Sequence, residues 1–140
     1  MTQVSVAGAG GAALWAINSK DYAAGRSYNS QVVFTGLLWS PSGGDTSFTV
    51  KGSGTNSLQG TSANAINDSE EIAGTYTDSN SVSHGFLRTS TGAITKFSVS
   101  SKSTLISGEG TSANSINASG TIAGTFTDSS YVYHGFIRTP

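Results

Sequence analysis

Apolar residues in this chain come in short runs that alternate with small or polar positions, and nowhere do they keep the 3.6-residue spacing of a buried helix face. In the middle of the chain four such runs, 61–67, 72–77, 83–89 and 93–99, are separated by Asp68-Ser69, Asp78-Ser79-Asn80 and Ser90-Thr91-Gly92. Small polar residues of this kind favour turns, so the stretch predicts four short antiparallel strands.

The same pattern is then written again. Residues 60–89 match residues 110–139 at 21 of 30 positions without a gap, at an offset of 50. A fainter copy precedes both: Ala16-Ile17-Asn18, Gly25, Gly36 and Phe48 each stand 49 residues ahead of Ala65-Ile66-Asn67, Gly74, Gly85 and Phe97. In this first unit Asn29 replaces Asp78, Thr35 replaces His84, Leu37 replaces Phe86 and Trp39 replaces Arg88. Units of this length, each unable to bury its apolar face alone, mark a repeat architecture. Four strands in roughly 40 to 50 residues is the blade of a β-propeller. The expected fold is therefore all-β, one domain over residues 1–140, with blades at about 12–50, 61–99 and 111–139. Ile66, Ile72, Phe86, Leu87 and Phe97, with Ile116, Ile122, Phe136 and Ile137, are the expected contacts between blades.

Composition supports this and narrows function. The chain holds 25 Ser, 17 Thr and 18 Gly, no Cys, 11% charged residues and a net charge of -1. So little charge cannot form the basic footprint that nucleic acid or an anionic membrane surface requires. No apolar run is long enough for a membrane span, and neither a disulfide nor a thiolate metal site is available. Residues 1–16 lack the basic start and continuous apolar stretch of a signal peptide.

A four-residue hairpin loop around Ser79 would set Tyr76 opposite Gly85 and Phe126 opposite Gly135, an aromatic ring covering a cross-strand glycine. The first unit would have Ser27 opposite Gly36 and pack less well.

The recurring I-N-x-x-x-x-I-A-G-T-[YF]-T-D followed by H-G-F-[LI]-R resembles the HAF-type extracellular repeat of bacterial proteins. The match runs through Ile66-Asn67, Ile72-Ala73-Gly74, Asp78 and His84-Gly85-Phe86, and again through Ile116-Asn117, Ile122-Ala123-Gly124, Asp128 and His134-Gly135-Phe136. The first unit keeps Ile17-Asn18 and Gly25 but has Thr35-Gly36-Leu37 in place of the His motif. The resemblance implies a propeller-like repeat protein that is secreted or held at the cell surface; it implies no activity.

Candidate chemistry must come from side chains. Asp78 with His84, and Asp128 with His134, flank the same hairpin in two units, and a carboxylate can hold an imidazole in one tautomer. Such a pair serves either as a staple or as a ligand contact; with so much Ser, a hydrolase is a third reading. Because the pair comes with the repeat and is lost in the first unit, the expectation is a staple and no enzyme. One His and one or two carboxylates per unit do not make a metal site, and Glu70-Glu71 reads as a solvated turn; no cofactor is expected. Arg88 and Arg138 close their strands, as rim ion pairs or as clamps on a glycan or peptide. Trp15 and Trp39 are either core or platforms for the C–H face of a neutral sugar. The leading expectation is a lectin-like recognition module with shallow sites between blades, followed by an assembly block.

The third unit reaches its end after three strands. Residues 2–6 alternate like residues 95–99, so an N-terminal strand is expected to complete the last blade and cover its open edge. Three blades fall below the usual four to eight. A homodimer in which two chains share strands to make a six-bladed ring is the expected assembly.

Overall fold

The computed structural model describes residues 2–99 and 109–140. It is all-β, with no helix among the described residues. The first unit holds β1 (Gly11–Ile17), β2 (Ala23–Tyr28), β3 (Phe34–Ser40) and β4 (Gly44–Phe48). The second holds β5 (Gly60–Ile66), β6 (Ile72–Thr77), β7 (Ser83–Arg88) and β8 (Ile94–Phe97), and the third β9 (Gly110–Ile116), β10 (Ile122–Thr127) and β11 (Tyr133–Arg138). Neighbours within a unit pair antiparallel, while successive units are bridged by one parallel pair each, Phe34 with Gly60 and Ser83 with Gly110. The resulting sheet is open and does not close on itself. Residues 2–6 form no strand within the single chain, so the expected N-terminal strand has no partner there.

The hairpin register differs from expectation by one residue. Tyr76 lies opposite His84, Phe126 opposite His134 and Ser27 opposite Thr35, because the loop holds five residues, 78–82, and not four. The glycine is nevertheless covered, by the fourth strand. Gly85 pairs with Phe97 and Gly36 with Phe48, and a Cβ on either glycine would run into that ring at 2.5–2.7 Å. Above Gly135 there is nothing within 4 Å. Gly74 has a separate reason: β5 bulges at Asn64, and a Cβ on Gly74 would meet the Ser62 carbonyl and the Phe86 ring. A bulge brings the two backbones into closer approach and re-aims the extra residue, here Asn64 and its counterpart Trp15.

The expected inter-unit residues form or flank the core, except Ile137, which is exposed because no unit packs on β11, and they sort into two faces. On the trailing face of the first unit, Ala24, Leu38, Phe48 and Val50 pack against Ala63, Ile66, Ile72 and Phe86 on the leading face of the second. One unit along, Ala73, Leu87 and Phe97 pack against Ala113, Ile116, Ile122 and Phe136. Each interface carries an edge-to-face ring pair, Phe48 with Phe86 at 5.9 Å and Phe97 with Phe136 at 6.0 Å, a geometry favoured by the ring quadrupole.

An asparagine ladder runs alongside. Asn18 Nδ2 donates to the Asn67 carbonyl (3.0 Å) and Asn67 Nδ2 to the Asn117 carbonyl (3.1 Å). The Oδ1 of each closes its own turn by accepting from the backbone N–H groups two and four residues on. The Asn of the I-N motif thus ties a hairpin turn to the next unit.

Candidate functional site

At the hairpin tips, Asp78 Oδ1 accepts from the N–H of Asn80 and Val82, and its Oδ2 meets His84 Nε2 at 3.3 Å. Asp128 repeats this with Ser130, Val132 and, at 2.8 Å, His134. Each imidazole stacks on the aromatic directly across the hairpin, Tyr76 or Phe126, at 4.8 Å. In the first unit Asn29 Oδ1 makes the same two loop bonds, to Gln31 and Val33, without an imidazole. The carboxylate therefore closes a five-residue loop and holds the His ring flat on its neighbour; the pair lies within one hairpin, not between units.

His84 Nδ1 also meets Ser98 Oγ at 2.9 Å, which lines up a hydroxyl, an imidazole and a carboxylate. Hydrolysis would further need N–H donors free to hold an oxyanion. The N–H next to that hydroxyl, of Val99, is taken by Thr111 Oγ1 at 2.8 Å. Ser98 stands exposed at the end of β8. Among the described residues no three His, Asp or Glu side chains gather as a metal site would require.

Burial alone would raise the Asp78 pKa, but the bonds from Val82, His84 and Asn80 outweigh it and hold the carboxyl below its usual range. At Asp128 the His134 bond, then the Val132 and Ser130 N–H groups, do the same. A folded pKa depressed below the unfolded value of about 3.9 gives stability that is complete above that pH and is lost as pH falls through the folded value. Urea midpoints should therefore drop as pH falls below about 4. The Asp78→Asn/Asp128→Asn chain, which keeps the loop acceptor as Asn29 does, should show a visibly shallower drop. An unchanged slope would remove the two carboxylates from the acid response.

Arg88 and Arg138 are covered by rings of the preceding unit and are not held out as clamps. Arg88 is buried, with its guanidinium 5.0 Å from the centre of the Phe48 ring of the preceding unit, and Arg138 lies the same distance from Phe97. Stacking a guanidinium on a ring face is attractive, more so when desolvated. Arg88 and Arg138 are thus part of the leading face.

Trp39 holds this position in the first unit, which has no preceding unit within the chain. It lines an open cleft of about 450 Å³ with Leu14, Trp15, Ile17 and Ala23, and residues Thr2 and Val4 lie along it. Trp15 is 47% exposed, with the Arg26 guanidinium 5.4 Å from its ring centre, and Trp39 is half-buried. Neither Trp is core. Leu14, Ile17 and Ala23 are the counterparts of Ala63, Ile66 and Ile72, so the cleft is a leading face without a neighbour. The turn residues are also more than solvated: Glu70 reaches Lys20 of the first unit at 3.7 Å and Glu71 accepts from Asn67 at 2.7 Å.

Residue types do not disclose that Trp39 is an interface position, although its 49-residue offset from Arg88 could have. The paired offsets of Gly36–Gly85 and Phe48–Phe97 likewise held the glycine-covering role of the fourth strand. Comparison of this chain with protein-family models, with curated proteins and with solved structures finds no match.

Proposed function

We propose that this chain is a non-enzymatic building block of a β-propeller of the HAF type its motifs resemble, working outside the cell, with each terminal face covered by a further unit of the same kind. One observation carries the reading. Ile17 on the first leading face and Ile137 on the last trailing face are 64% and 69% exposed, while Ile66, the counterpart of Ile17, is 8% exposed between two units. Large apolar side chains left open at both ends of a stack, at positions buried or half-buried within it, are what unfinished repeat packing leaves behind.

A tandem fusion of two copies tests this. At a dilution at which separate chains are apart, one terminal face of each copy in the fusion stays covered by the other, so the fusion should melt higher than the single chain and Trp39 should be better protected from acrylamide quenching. Equal melting and equal quenching would refute the assembly reading.

A second reading, a lectin-like site for a neutral glycan, draws on the exposed Trp15 beside Arg26. An indole face next to a polar donor suits a sugar ring. Binding on a glycan panel that is lost in Trp15→Ala would favour it; silence across the panel would remove it. Asp78, His84, Asp128 and His134, once candidates for ligand contact, act in this account as hairpin staples.

A further inference from the structure

Within the chain, Ile66 shares a core with Leu38, and Ile116 with Leu87. Ile17 stands where Ile66 and Ile116 stand, and Ile137 where Leu38 and Leu87 stand, yet both are exposed. They are the two halves of a third interface that the open sheet does not bring together. The backbone repeats the incompleteness, since Asn18 and Asn117 are the two ends of the asparagine ladder.

The fourth-strand position fits the same interface. Beside Arg88 lies Phe48, and beside Arg138 lies Phe97, each from the fourth strand of the unit before. In the cleft with Trp39, the counterpart of Arg88, lies Val4 from the N-terminal segment. Thr2 and Val4 thus lie on the face that a preceding unit's fourth strand covers in the other units, in a segment that pairs with no strand of its own chain. The complement is β11, whose Gly135 is uncovered where Gly36 and Gly85 are capped by Phe48 and Phe97.

Resting on the unit-assembly reading above, we propose that a second copy of this chain docks on this face: its β11 pairs with residues 2–6, and its Ile137 covers Ile17. The contact is heterologous, and two such contacts related by a two-fold axis close a ring of six units, within the usual span of about four to eight. Closure also removes the unpaired edge of β11, a template for uncontrolled association.

The test uses the full chain, Ile17→Asp and Ile137→Lys, sized by sedimentation velocity at micromolar concentration, with far-UV circular dichroism to verify folding. Wild type should sediment as two chains and each variant as one, because both changes put a charge against an apolar surface. An equimolar mixture of the variants should recover two chains, since one of its interfaces pairs Asp with Lys and the other is wild type. A folded wild-type monomer, a trimer or filament, variants that remain dimeric, or a mixture that stays monomeric would each overturn the proposal. A wild-type monomer alongside a tandem fusion that does gain stability would sink the second copy alone; a fusion that gains nothing would sink the assembly reading beneath it.

Discussion

Replacing Phe86 by alanine should cost about 3 to 5 kcal/mol, the range for truncating a fully buried aromatic whose surroundings cannot collapse into the space. Phe86 is completely buried, meets Phe48 edge-on at 5.9 Å and fills the hollow above Gly74. It therefore holds together the second unit and its junction with the first. Against a total stability of about 5 to 15 kcal/mol, the loss leaves a domain of this size near its threshold. Urea unfolding of Phe86→Ala should show a much lower midpoint, with Leu58→Ala, exposed in the loop before β5, as the contrasting case. A midpoint shift as small for Phe86 as for Leu58 would mean that the inter-unit core is not what stabilises the chain.

The second large effect is expected at Asn67. It closes its turn through Ser69 and Glu71 N–H groups at 3.0 and 2.9 Å, and it donates to the Asn117 carbonyl and to Glu71 Oε2. Asn67→Ala leaves two N–H groups, a carbonyl and a carboxylate oxygen to find other partners in a partly buried place. At about 0.5–1.5 kcal/mol net for each bond, the expected loss is roughly 3 kcal/mol. Asn117 makes the same turn but is exposed and ends the ladder, so Asn117→Ala should lose about half as much. Thermal melting of the two variants side by side, at a dilution at which chains are apart, decides it. Equal losses would reduce the motif asparagine to a turn cap with no part in joining units.

Much of the fold was legible because the repeat states it twice. Strand positions, the shared inter-unit apolar residues and the pairing of Asp78 with His84 all follow from alternation, turn residues and offset. Register was not legible, because it depends on whether Asp78 belongs to the loop. Its carboxylate accepts from Val82 N–H, and Ser81 takes a left-handed φ of 62°, which together make five residues the natural loop length. Residue type says nothing of either. Arg88 is legible as the residue that closes β7, but height along a strand does not tell which face is covered. That information lies in the neighbouring unit, in Phe48. For the same reason Trp15 and Trp39 could be read as core or as sugar platforms: what packs on the leading face of a unit is set outside that unit's own residues.

In the proposed assembly the two ends of the stack are halves of the interface found twice inside it. The chain has no native cysteine, so Ile17→Cys/Ile137→Cys carries only the two thiols in question. Mild oxidation, followed by denaturing electrophoresis without reductant, should yield a covalent species of two chains that returns to one on reduction. Two free thiols after oxidation, or a bond closing within a single chain, would contradict the account.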